Sequence, residues 1–247
     1  MTNDKPGDSS DPWSCDSLKE ARLRTELAKV RNLAGDNIGA AKEFTIAFGG
    51  YVNLELSRSD ECLDMLLEFG RSTLAAGWTE QAKWCFQEIL ETLHKSGRGI
   101  SILAADAWRG LCWVERELNN AEEQYDCARR VCLIVEQVAG RNAPCLAGDF
   151  IAVGEALLHL PHPDLWHVFN LFYQAYKLLE SLQEVPSAAL LPPLYGLAAT
   201  FERMGNREAH QETLESIKEL YRVLGVDESR EEVQEISKRL RGMFAVE

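Results

Sequence analysis

An alanine followed four residues later by a larger side chain recurs along this chain at a nearly constant interval. The separations between successive copies are 42, 39 and 88 residues, and the last is about twice the others. A missing copy is therefore expected near residue 165, where Trp166 stands in the position of the small residue. A period of 20–50 residues is typical of stacked supersecondary units. The alanines and the residues that follow them are Ala40 with Phe44, Ala82 with Phe86, Ala121 with Tyr125, and Ala209 with Thr213.

Each copy of the pattern lies in the second helix of a predicted helix pair. Apolar residues recur at helical spacing on both sides of turns such as Gly35-Asp36-Asn37, and no segment alternates with a period of two. The sequence therefore predicts an all-α fold of about five antiparallel helix pairs over residues 17–225. Residues 1–16, rich in Pro, Gly, Ser and Asp, are expected to form a disordered acidic tail. Residues 226–247 are expected to form a capping helix, because acidic residues come first and basic residues last.

The charge balance disfavours nucleic acid as a partner. Acidic residues outnumber basic ones 39 to 26, which gives a formal charge of −13. Nucleic-acid affinity depends on clustered Lys and Arg, and the overall balance runs the other way. No apolar run is long enough to span a membrane, and the first residues carry no hydrophobic signal region. We therefore expect a cytoplasmic protein that binds neither nucleic acid nor membrane.

Residues that could carry catalysis or bind a metal are few. The seven cysteines are odd in number and most lie within helical patterns, which favours buried thiols over disulfides. One histidine cluster, His159, His162 and His167 with Asp164, straddles a Pro-His-Pro turn and completes no recognised ligand spacing. Phosphate-binding glycine loops and the common hydrolase motifs are absent from the sequence. We expect no enzyme activity, no cofactor and no metal.

The helix pairs resemble tetratricopeptide (TPR) repeats, which carry a small residue and then an aromatic residue in the second helix. The period of about 42 residues resembles the longer repeats of kinesin light chains and of many bacterial regulators. The stretch from Asn120 to Pro144 matches this longer variety best, and the resemblance covers residues 18–225. The resemblance implies a right-handed α-solenoid whose first helices line a concave wall. In the family, extended peptides or helices bind along that wall.

The resemblance also assigns ten residues of the first helices to the concave wall. The first half of this set is cationic in an acidic chain, which favours an acidic peptide or a carboxylate terminus as the partner. Alternatively, these charges only solvate a helix face. Trp108 and Trp113 are either core residues or, for Trp113, an anchor for the partner. The ten residues are Arg22, Lys29, Asn32, Arg71, Asp106, Trp113, Glu155, His159, Phe201 and Glu202.

The function implied by this fold is a non-catalytic scaffold that binds a segment of another protein on a preorganised wall. Two alternatives stay open from the sequence. The chain could be a peptide-sensing module whose ligand changes the pitch of the helix stack. It could also assemble into a homo-oligomer through exposed ends or an apolar groove.

Overall fold

The computed structural model describes Cys15 and residues 17–182 and 187–244, and all regular structure in these residues is helical. The predicted tail, residues 1–16, lies outside the described residues apart from Cys15, which is buried against Gly50. The α-helices are α1 (Leu18–Leu33), α2 (Asn37–Asn53), α3 (Asp60–Ala75), α4 (Thr79–Lys95), α5 (Ile102–Glu117), α6 (Ala121–Ala139), α7 (Leu146–His159), α8 (Leu165–Ser181), α9 (Leu191–Met204), α10 (Arg207–Val223) and α11 (Glu231–Phe244), and a short 3₁₀ helix (Ala188–Leu190) precedes α9.

The helices form two compact units, and within each unit successive helices pack antiparallel against one another. The first unit contains α1 to α4 and most of α5, over residues 1–99 and 106–118. In it, α1 packs on α2, α2 on α3, and α3 on α4. The second unit contains residues 100–105 and 119–247, and α6 to α11 follow the same sequential order. The prediction of an all-α fold built from helix pairs is confirmed.

A residue in the left-handed backbone region ends the first helix of several pairs at the repeat interval. Gly35, Gly77 and Gly205 have φ of 81°, 80° and 70°, and Asn119 takes the same position with φ of 58°. Glycine and asparagine tolerate this conformation better than other residues. These positions are separated by 42, 42 and 86 residues, so the turn chemistry repeats with the same period as the helices.

The buried faces of the second helices define the repeat more accurately than the alanines do. Ala40, Phe44 and Ala47 are fully buried, and residues at the same spacing are buried in each later copy. The pattern recurs at intervals of 42, 42, 44 and 42 residues. The five sets are Ala40, Phe44 and Ala47; Ala82, Phe86 and Ile89; Gln124, Ala128 and Val131; Val168, Phe172 and Ala175; and His210, Leu214 and Ile217.

This pattern corrects three assignments made from the sequence. Ala121 and Ala209 were expected at the buried small position, but both are only half-buried. Gln124 and His210 are buried there instead, at 5% and 6% exposure. Trp166 was assigned to the fourth copy and is 70% exposed, because Val168 takes the buried position. The register expected from Ala40 and Ala82 is right.

Buried aromatic rings explain why first helices carry glycine at the repeat interval. Phe86 of α4 lies against Gly70 of α3 and Gly110 of α5, and a Cβ at either glycine would fall within 3.0 Å of its ring. In the second unit, Phe172 of α8 lies in the same way against Gly154 of α7 and Gly196 of α9. Each ring therefore needs close backbone approach on both sides.

The C-terminal helix covers the last helix pair with an apolar face. Ile236 and Leu240 of α11 join the buried cluster of Leu194, Leu214 and Ile217 from α9 and α10. The opposite face of α11 is exposed and polar, with acidic residues in the first turn and Arg241 in the last. The apolar side of α11 is therefore buried and its polar side faces solvent.

We predict that Gly196→Ala lowers the free energy of unfolding by about 1–3 kcal/mol, because the new Cβ overlaps a ring that Gly154 confines from the other side. Gly148→Ala on α7 is the matched control, since nothing lies within 4 Å of its added Cβ. It should raise stability by roughly 0.5–1 kcal/mol, as expected for replacing a helical glycine. Urea unfolding followed by circular dichroism measures both changes, and equal effects of the two variants would contradict this packing.

Candidate binding surfaces

Two of the residues assigned to the wall, Arg22 and Lys29 of α1, line an open groove between α1 and α3 in the first unit. Asn32 and Arg71 lie on the same two helices and are not part of the lining. The groove has a volume of about 520 Å³. Its lining residues are Arg22, Thr25, Glu26, Lys29, Tyr51, Glu61, Asp64, Met65, Leu67 and Glu68.

An ion pair links the two sides of this groove near one end. The Arg22 guanidinium donates from Nε and Nη2 to both Glu61 carboxylate oxygens, at 2.6 and 2.9 Å. The buried Tyr51 side chain donates its hydroxyl to Glu61 Oε1 at 3.0 Å. The hydrogen bonds from Arg22 lower the pKa of Glu61, and burial raises the pKa of Tyr51. Glu61 is thus held as a carboxylate by two donors.

Each cation assigned to this half of the wall is paired with a carboxylate. Besides the Arg22 pair, Lys29 Nζ lies 2.7 Å from Glu26, and Arg71 Nη1 lies 2.7 Å from Glu68. The groove is lined by two cations and four carboxylates, so its net charge is negative. The exposed Asp64 carboxylate has no ion-pair partner among the described residues. The lining of the groove therefore carries an excess of negative charge.

Asn32 has a structural contact that joins the two first helices. Its amide nitrogen donates to the Ser72 hydroxyl of α3 across 40 residues of sequence. The Asn32 side-chain oxygen is buried without a hydrogen-bond partner in the described residues. Asn32 is half-exposed, and its hydrogen bond to Ser72 holds α1 against α3.

The two wall residues assigned to α5 lie on one exposed face of that helix. Asp106 pairs with Arg109 at 2.7 Å, and the Arg116 guanidinium lies 5.0 Å from the Trp113 ring centre. Trp113 is 54% exposed, so the interpretation of this residue as core packing is wrong. Trp108 is half-buried. An exposed indole with a cation over one face is a suitable contact for a partner.

In the second unit the structure shows an aromatic surface that the sequence analysis identified only through Phe201. Phe201 of α9 packs on Phe169 of α8, with ring centres 5.6 Å apart. Phe169 also contacts Trp166 at 6.0 Å and Tyr173 at 5.7 Å. The spacing of residues 166, 169 and 173 on one face of a helix is the sequence signal that would have identified this surface.

The other wall residues of the second unit are placed separately. Glu155 of α7 is half-buried, and His159 at the end of α7 and Glu202 of α9 are exposed. Glu202 follows Phe201 directly and lies next to the aromatic surface in sequence. A contact between these residues and a partner stays a prediction.

Solved structures with the same arrangement of helices are TPR-like. The nearly identical TPR-like repeats of a Podosopora anserina protein assigned as a kinesin light chain match with a TM-score of 0.71 and 16% identity, over 83% of this chain and 97% of that chain. BtubC (BKLC) from P. vanneervenii matches with a TM-score of 0.73 and 16% identity, over 87% and 90%. This chain has a TPR-like repeat fold. The resemblance seen in the sequence is confirmed, although no family model and no curated protein matches it.

The TPR-like fold is typically non-catalytic, and two of the buried thiols of this chain are poorly suited to nucleophilic chemistry. Burial raises the pKa of Cys62 and of Cys85 to about 12 in each case, so both are protonated at neutral pH. Among the described residues, no three His, Cys, Asp or Glu side chains are close enough to bind a metal ion. None of the described helices is long and apolar enough to cross a membrane.

The imidazole of His210 is a buried titratable group in the fifth repeat. His210 is 6% exposed, and its Nε2 has no hydrogen-bond partner in the described residues. Burial lowers the pKa of His210; the Glu202 carboxylate opposes this shift, and the Arg239 guanidinium adds to it. The unfolded chain therefore binds this proton more tightly than the folded chain does.

We predict that His210 makes the protein less stable as the pH falls. Its contribution is fully present above the unfolded pKa of about 6.5 and is lost as the pH falls through the lower folded pKa. His210→Ala, which restores the small residue found at Ala40 and Ala82, should reduce the loss of unfolding free energy between about pH 7.5 and pH 5. Urea titrations at the two pH values measure this, with the exposed His94→Ala as control. A pH dependence unchanged by His210→Ala would contradict the assignment.

Proposed function

We propose that this chain is a non-catalytic protein-binding module that holds an extended segment of another protein in the α1–α3 groove. The TPR-like fold supports protein binding in general, and this groove is formed by two successive first helices. Binding of a segment would not require the groove residues to move, because the Arg22–Glu61 ion pair and the Asn32–Ser72 hydrogen bond already connect α1 with α3. A preorganised surface of this kind loses little entropy on binding.

The groove dimensions suit a short extended stretch of polypeptide. Arg22 and Lys29 are seven residues apart on α1, which corresponds to about 10 Å along the helix axis. An extended chain advances roughly 3.3 Å per residue, so about three residues of a partner fit along this length. Thr25, Met65 and Leu67 provide a floor of mixed polarity for side chains that point inward.

The charge of the groove indicates that the segment is basic. Asp64 is exposed and unpaired among the described residues, whereas the groove cations already have carboxylate partners. A Lys or Arg of the partner would satisfy Asp64 without displacing an existing ion pair. The overall charge of −13 also steers basic partners toward the protein. This replaces the expectation of an acidic segment.

The remaining wall residues are candidates for additional contacts. Trp113 in the first unit and Phe201 in the second each belong to an exposed or half-exposed aromatic group that could contact a partner side chain. A peptide-sensing module would use the same groove, and it would differ by changing its shape on binding. Small-angle scattering of the protein with and without a bound peptide distinguishes a static scaffold from such a sensor.

The direct test is binding to immobilised short peptides whose central residues are basic, neutral or acidic. The wild-type protein should bind the basic peptides best, and Asp64→Lys should weaken that binding by about tenfold or more, equivalent to about 1.4 kcal/mol. Asp126→Lys on α6 is the matched control, because it makes the same change of net charge at another exposed aspartate. A preference for acidic peptides, or equal losses in the two variants, would reject the proposal.

A further inference from the structure

The first helix exposes a row of apolar side chains that no described residue covers. Leu23, Leu27 and Val30 are 62%, 40% and 61% exposed, and Leu33 is 90% exposed. They follow one another at intervals of four, three and three residues, so they lie along one side of α1 and form what we call the α1 stripe. Isolated exposed leucines are common on proteins, but a continuous row on one helix marks an interaction surface.

A comparison of α1 with α3, its counterpart one repeat later, shows what normally covers the positions of the α1 stripe. Gly70 of α3 contacts the buried Phe86 ring. The equivalent residue of α1 lies 42 positions earlier and is the buried Ala28. The same shift of 42 residues relates Leu23, Leu27 and Val30 to Met65, Phe69 and Ser72 of α3. Those residues are only 1%, 1% and 2% exposed.

The residues of α3 are buried because the preceding helix pair packs on them. The Phe44 ring of α2 lies 5.8 Å from the Phe69 ring, and Asn32 of α1 donates to Ser72. On α7 the equivalent positions are Asp149, Val153 and Ala156, which are also buried. Leu23, Leu27 and Val30 therefore lie where a further helical element would pack, and in the described residues they are uncovered. Leu33 extends the stripe, and its counterpart on α3, Ala75, is exposed.

Residues 1–14 by composition, and α11 by its exposed face, do not complement the α1 stripe. Residues 1–14 contain few large apolar side chains, Met1 and Trp13, against four in the stripe. The exposed side of α11 is charged, since its apolar residues Val233, Ile236 and Leu240 are buried. An apolar stripe on α1 and a charged face on α11 do not complement each other, so a head-to-tail polymer is disfavoured. The surface that complements an apolar stripe is a second apolar stripe.

We propose that the α1 stripe packs against the α1 stripe of a second copy of this chain and forms a twofold symmetric dimer. A twofold axis near residue 28 runs the two helices antiparallel and brings Leu27 of one copy close to Val30 of the other. The same axis brings Leu23 close to Leu33 of the second copy. Glu26 and Lys29, which form an ion pair within each copy, lie beside the stripe and come close to Lys29 and Glu26 of the second copy. The interface is self-complementary in its apolar pattern and in its charge, as an isologous contact requires.

The test is the mass of the full chain in solution, measured by light scattering during gel filtration across a range of concentrations. The wild-type protein should have twice the monomer mass of 27.8 kDa. The double variant Leu27→Glu with Val30→Glu should have the monomer mass, because four carboxylates would meet across the axis. The single variant Leu33→Glu should raise the dissociation constant by about tenfold. All three positions are exposed, and circular dichroism confirms that helicity is unchanged.

The control is a pair of equally exposed apolar residues away from the stripe. Leu133→Glu with Val138→Glu on α6, at 50% and 45% exposure in the native chain, should leave the dimer intact. A monomeric wild-type protein would overturn the proposal, and so would a dimer that survives the double substitution in α1. A monomer that dimerises only after residues 2–14 are deleted would assign the stripe to the chain's own N-terminal segment and would also overturn it.

Discussion

In two of the helix pairs, the aromatic ring of the second helix lies against a glycine of the first helix on each side, and this contact fixes how these helices follow one another. Phe86 is held in this way by Gly70 and Gly110, and Phe172 by Gly154 and Gly196. A ring confined on both faces tolerates neither a larger residue at the glycine nor a shift of one helix along another. The two glycines that confine one ring are 40 residues apart for Phe86 and 42 residues apart for Phe172.

This register also determines which residues of a first helix are available for binding. On α3 the positions that face the preceding pair are buried, and positions such as Glu61, Asp64 and Glu68 line the groove. On α1, which has no described helix pair before it, the corresponding apolar positions are exposed. The groove and the α1 stripe are thus two consequences of one repeat.

The helical repeat could be predicted from the sequence because turn residues and apolar periodicity agree at Gly35, Gly77 and Asn119. The register of the third, fourth and fifth copies could not, because their small position holds Gln124, Val168 and His210, which carry no small-residue signal. The sign of the charge at the groove also could not be predicted: the charged wall residues of α1 and α3 are cationic, whereas the groove lining has more carboxylates than cations. The prediction counted the cations of the first helices but not the carboxylates three residues before them. In a helix, residues three apart lie side by side, so Lys29 pairs with Glu26 and Arg71 pairs with Glu68.

A double-mutant cycle between Gly110→Ala and Phe86→Leu tests the central claim most directly. If the ring confines the glycine, Gly110→Ala should destabilise the wild-type protein by about 1–3 kcal/mol. It should cost much less in the Phe86→Leu background, because the smaller leucine side chain leaves room for the added methyl group. A coupling energy of about 1 kcal/mol or more would support the account. An equal cost of Gly110→Ala in both backgrounds would contradict it.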